Sequence, residues 1–168
     1  MKKLLAALLV SAAALTTQAY SVNANPAETA PAATIQQQSS IVVNGQTLNQ
    51  FSYEINGCTL VPARAVSDAL GFKITWNSDD QSADIVGDAM KMNVKVGEDS
   101  YMATSTIAIG ATAPAQLGSA PVLINDTLYV PAQIFRIIQG NDPDTVKESG
   151  SKVIISKAPA QDPVPMAQ

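Results

Sequence analysis

The chain has 168 residues, of which 46% are hydrophobic and 14% charged, with 10 basic against 14 acidic side chains, one cysteine and no histidine. That length suits one domain, or two very small ones, with enough chain to bury a core. The absence of histidine excludes Ser-His-Asp and Cys-His catalysis, a histidine general base and any His-ligated zinc, copper or haem site.

Residues 1–24 read as a secretory signal peptide. Lys2 and Lys3 precede an apolar run over residues 4–15, and small residues follow with cleavage expected near Ala24, or alternatively after Ala19. The apolar run is too short to cross about 30 Å of hydrocarbon, so no membrane span is expected after cleavage. The expected location is secreted or associated with the cell envelope. Loss of Lys2 and Lys3 leaves 8 basic against 14 acidic residues. That balance disfavours nucleic acid and anionic membrane surfaces as partners. Cys58 is the single cysteine, so an intramolecular disulfide is excluded, and a buried, inert thiol is expected. Residues 25–40, rich in Pro, Ala, Gln and Ser, read as a flexible leader; residues 158–168, with three prolines, read as a disordered tail.

Patterned sequence occupies residues 41–157. Asn44-Gly45 lies between short apolar runs and predicts a hairpin, because both residues accept positive φ. The same punctuation recurs at Asn56-Gly57 and, as Asn-Asp, at Asn125-Asp126. Pro62 suits the first position of a helix and Gly71 its left-handed end, with Ala63, Val66, Ala69 and Leu70 as the apolar stripe. Strands are predicted at residues 73–76 and 83–86 around a polar turn, at 92–96, and once or twice within 100–109. Residues 55–71 align without a gap on residues 124–140, where Val61-Pro62-Ala63 matches Val130-Pro131-Ala132 and Gly71 matches Gly140. The predicted fold class is α+β. It is a mostly antiparallel sheet with two short helices, built from two related β-β-α-β-β repeats, about 41–87 and about 91–156.

The Val43-Asn44-Gly45 hairpin, the stretch from Leu60 through Gly71 to Trp76-Asn77, and the later run from Ala120 to Ala132 resemble the copper amine oxidase N-terminal domain family, also called the stalk domain. The resemblance implies a small α+β appendage of exported bacterial proteins, without the copper or quinone of the oxidases. The second copy departs from the pattern. Gln133 stands where Arg64 does, Gln139-Gly140 replaces Leu70-Gly71, and Thr145 falls where Trp76 would.

Several features invite a chemical reading. Arg64 sits in a helix's first turn, where the macrodipole disfavours a cation by a few tenths of a kcal/mol; a specific partner such as Asp68 or a strand carbonyl is expected, with a ligand contact as the alternative. Trp76 is the single tryptophan, either packed on a sheet face or exposed for stacking. The acidic series Asp79, Asp80, Asp84 and Asp88 lacks the spacing of a calcium loop. Ser149 to Lys152 matches S-x-x-K without its companion motifs. In the second helix Ile134, Ile137 and Ile138 widen the apolar face. Either residues 110–123 cover them or they form a partner or self-association surface.

The expectation from these readings is a non-enzymatic, exported stalk-like domain, with no cofactor and no metal. It would act as a cell-envelope or extracellular binding or structural module whose partner is an envelope component or an extracellular protein. The alternative is a carbohydrate or cell-wall polymer binder using Trp76 with Tyr53, Tyr101 or Tyr129. A carboxylate hydrolase finds no paired acids in a cleft. A protease-inhibitor role is a further alternative, to which the sequence assigns no residue.

Overall fold

The structure, a computed structural model, describes residues 36–150 and 152–159. The signal peptide, most of the leader and residues 160–168 of the tail lie outside the described residues. In chain order the elements are β1 (Gln36–Val43), β2 (Gln46–Ile55), β3 (Cys58–Pro62), α1 (Ala63–Leu70), β4 (Lys73–Asn77), β5 (Ser82–Val86), β6 (Met90–Lys95) and β7 (Ala103–Ser105). There follow β8 (Val122–Ile124), β9 (Thr127–Pro131), α2 (Ile134–Ile137), β10 (Val146–Ser149) and β11 (Lys152–Ile155).

Turn chemistry places the hairpins. Asn44 and Gly45, Asn56 and Gly57, and Asn125 and Asp126 all have positive φ, between 48° and 80°. That conformation gives two-residue turns whose twist matches the flanking strands. Helix α1 ends at Gly71 (φ 76°), whose N–H donates to the Asp68 carbonyl while Phe72 N–H donates to that of Ser67. Pro62 lies one residue earlier than expected, as the helix N-cap and the last residue of β3.

Two sheets result. One has seven strands in the order β10-β11-β1-β2-β3-β9-β8, the other four in the order β4-β5-β6-β7. All pairings are antiparallel except β1 with β11. The seven-stranded sheet is strongly curled. Thr59 Oγ1 of β3 donates to Glu148 Oε2 of edge strand β10 over 2.6 Å, although four inter-strand steps would set these strands about 19 Å apart in a flat sheet. Alternation then partitions the side chains. Val61, Leu128 and Val130 face a shared core with Ala83, Ile85, Met92 and Val94 of the smaller sheet. Ile55, Leu60 and Tyr129 form a second cluster on the opposite face, joined by Tyr53, Cys58, Val122 and Ile124.

Three expectations are corrected. First, β1 begins at Gln36, inside the segment read as leader. Its backbone pairs with Tyr53 and Glu54 of the long strand β2, and ladder pairing is indifferent to the polar side chains that suggested a leader. Second, Ile134, Ile137 and Ile138 form no partner surface. They are 1%, 3% and 3% exposed and belong to the main core with Phe135, Val146, Val153 and Ile155. Each buried isoleucine contributes about 1.5–3 kcal/mol, so α2 sinks into the core rather than presenting a face. Third, the two stretches keep the expected element order, β2-β3-α1-β4-β5 and β8-β9-α2-β10-β11, but not a common strand pairing. Val61 and Val130 oppose each other in register, and β2-β3-β9-β8 is symmetric about that pair. Beyond it, however, hairpin β4-β5 joins the small sheet while β10-β11 joins the large one.

Candidate functional site

A groove of about 430 Å³ opens where the two sheets part at their free edges. It is lined by Arg64, Ile74, Trp76, Ala83, Leu123, Asp126, Thr127 and Leu128. Strands β4 and β8 are each the last strand of their sheet. Ile74 and Trp76 lie on the same face of β4, and Trp76 pairs across to Ala83 of β5. On the other wall Leu123 of β8 pairs with Leu128 of β9, and Asp126 sits in the turn between them. Arg64 enters from the first turn of α1. The walls are the margins of the core, so an apolar surface continues outward from buried Ala83 and Leu128 to Trp76 and Leu123, 36% and 43% exposed.

Two opposite charges flank this surface. Neither Arg64 nor Asp126 has a side-chain hydrogen bond or ion pair among the described residues; the ion pairs found there join Lys147 to Asp144 and Lys157 to Asp88. The partner expected for Arg64 in Asp68 or a strand carbonyl is therefore absent among the described residues. An exposed guanidinium beside a tryptophan and an aspartate can take a ligand's carboxylate or carbonyl. The carboxylate opposite can take a cation or an N–H donor.

The tyrosines do not join Trp76. Tyr101 is fully buried and donates from Oη to the Ser119 carbonyl over 2.7 Å. Tyr53 and Tyr129 stack edge to face, with centroids 4.9 Å apart, in the cluster on the other face of the large sheet. The aromatic platform expected for a carbohydrate ligand is thus reduced to one ring. Ionisation is shifted elsewhere. Burial, then the charge of Asp99, pushes the Tyr101 phenol well above the tyrosine range. Burial, then Asp99, Glu148 and Glu54, raises the Cys58 thiol. A raised pKa leaves little nucleophilic thiolate at neutral pH. Among the described residues no group of three His, Cys, Asp or Glu side chains could hold a metal ion.

Sequence reasoning missed Leu123 and Asp126. A signal was present for the second. Asp126 (φ 60°) occupies the left-handed turn position that glycine fills at Gly57, a conformation costly for residues bearing a Cβ. Also unforeseen is the segment 105–110, where Ile107 is 77% exposed and Ile109 wholly so. Its base is closed by Ser105 N–H donating to the Gly110 carbonyl over 2.8 Å. The Ile107 and Ala108 amides donate to Ser105 Oγ.

The chain belongs to the copper amine oxidase N-terminal domain family, whose model matches residues 42–155. It is also similar to a Brevibacillus choshinensis protein named protease inhibitor, with 34% identity over 122 residues, covering 68% of this chain and 35% of that protein. The chain thus spans about a third of the length of that curated relative. No solved structure matches it.

Proposed function

We propose that this protein is an exported, non-catalytic module that binds another component of the envelope or extracellular space through the groove between β4 and β8. The observation that carries the reading is convergence. Arg64 and Trp76 meet Leu123 and Asp126, from a distant part of the chain, around one open apolar cleft. Membership of a family of oxidase appendage domains supports a role without chemistry of its own. Among the described residues no helix is long and apolar enough to cross a membrane. Export rests on the signal-like sequence of residues 1–24.

Trp76 is the single tryptophan, so its fluorescence reports on the groove directly. In co-sedimentation with isolated bacterial envelopes, the protein is expected to pellet saturably, with a blue shift of Trp76 emission. Trp76→Ala and Arg64→Gln should each weaken binding tenfold or more while leaving the fold intact. Binding unchanged in both variants rules out the groove.

A second reading, protease inhibition, draws on the name of the Brevibacillus relative and on the closed loop 105–110, which presents Ile107 and Ile109 to solvent. Inhibition of a secreted serine protease that is lost in Ile109→Asp supports it. Equal inhibition by that variant, or none by the parent chain, removes it.

A further inference from the structure

The groove's walls carry more than side chains. The turn Asn125-Asp126 makes Ile124 and Thr127 the closing pair of a two-residue hairpin, which exchanges both of its backbone hydrogen bonds. Hydrogen-bonded and non-bonded pairs alternate along an antiparallel ladder, so the next pair, Leu123 with Leu128, is a non-bonded one. The N–H and C=O of Leu123 therefore point away from β9, out of the sheet edge. Among the described residues no backbone or side-chain group bonds to them. The Leu123 side chain meanwhile lines the groove. Between Asp99 and Asp126 the sequence has no charged residue, so β8 lacks the lysine or other charge that usually blunts a free edge.

We infer that the groove takes an extended segment of a partner polypeptide, which adds a strand to the free edge of β8 and lays alternate apolar side chains between Trp76 and Leu123. This inference rests on the reading of the groove as a binding site. Edge strands recruit extended peptides by main-chain hydrogen bonds, and pockets for alternate side chains supply selectivity. The charges fit such a strand, since an acidic side chain meets Arg64 while a basic one meets Asp126. The three residues of β8 span about 10 Å, enough to pair three or four residues of the incoming strand. A glycan is the weaker occupant, because a sugar stacks on aromatic faces and the groove offers one ring. A second copy is also disfavoured, because two three-residue edges bury little of each other.

The probe is a capped seven-residue peptide of alternating valine and threonine, with a glutamate at one end and a lysine at the other, titrated against the full chain with Trp76 emission as readout. A saturable blue shift is expected. Methylating the backbone nitrogens that face β8 should weaken binding at least tenfold, whereas methylating the alternate nitrogens should change it less than twofold. In the protein, Leu123→Pro removes the outward N–H and should abolish the shift; near-ultraviolet circular dichroism checks that the variant stays folded. Equal binding by the two methylated series overturns strand addition. A shift with chitin tetrasaccharide and none with the peptide also overturns it, yet leaves the groove a binding site. A protein dimer by sedimentation velocity that Leu123→Pro dissolves assigns the edge to a second copy and likewise overturns it. If neither peptide, glycan nor envelope moves Trp76 emission, the inference and the reading beneath it fall together.

Discussion

Replacing Ile137 by alanine tests where the second helix faces. Ile137 is 3% exposed and packs in a core whose other members include Phe135, Val146 and Ile155. Alanine deletes three carbons, which at about 0.8 kcal/mol per buried group removes about 2.4 kcal/mol. A cavity of about 70 Å³, at roughly 24 cal/mol per Å³, adds about 1.7 kcal/mol if nothing relaxes. Helix α2 has only four residues and no side-chain cap, so partial collapse should bring the loss to about 3 kcal/mol. Domains of this size have about 5–15 kcal/mol in all. The Ile137→Ala variant should therefore fold at 25 °C with its urea midpoint lowered by about 1–2 M, for an m-value of about 2 kcal/mol/M. Ile137→Asp adds an unpaired charge to the same site and should not fold. Equilibrium urea unfolding followed by circular dichroism makes the measurement. A loss below about 0.5 kcal/mol for alanine is incompatible with the burial described. So is an aspartate variant that folds normally and changes only its sedimentation.

Further outcomes follow from Tyr101 and Asp99. The native state holds the Tyr101 phenol protonated well above its ordinary range. The unfolded chain releases that proton near pH 10, so this contribution is complete below about pH 10 and is lost as pH rises past it. Tyr101→Phe should flatten the alkaline fall in stability measured by urea unfolding between pH 9 and 11. At pH 7 it should cost about 1–2 kcal/mol, because the Ser119 carbonyl loses its donor. Identical alkaline slopes in the two proteins would refute the assignment. The Asp99 carboxylate accepts from the amides of Leu117 and Gly118 at 2.8 and 2.9 Å, while Cys58 Sγ–H donates to the Leu117 carbonyl. Its charge is also the second cause, after burial, of the raised Cys58 pKa. Asp99→Asn should therefore speed alkylation of Cys58 by iodoacetamide at pH 8 several-fold. An unchanged rate contradicts the coupling.

Much of the local structure was legible in the residue order. The three hairpins follow from Asn-Gly and Asn-Asp pairs, and the end of α1 follows from Gly71, because positive φ is a steric property of single residues. Strands β4, β5 and β6 follow from period-two alternation, which any half-buried strand requires. The α+β class and the family also rest on such local marks. The wide apolar face of the second helix was legible too, but not whether it met solvent, a partner or the core. Apolar pattern says that a surface must be covered, not what covers it.

Tertiary structure decided the rest. Ladder hydrogen bonds are nearly blind to side chains, so the sequence cannot say that Gln36 and Gln37 pair with β2, or that β10-β11 join a different sheet from β4-β5. Sheet order in turn determines which strands stay unpaired. Only once β4 and β8 are left at the edges do Arg64, Trp76, Leu123 and Asp126 surround one cleft. Residue order alone determined the turns, the strand periods and the first helix, because each depends on a few neighbouring dihedral angles. The groove depends on which distant strands win the competition for backbone partners and apolar burial, and that competition is settled only in the folded chain.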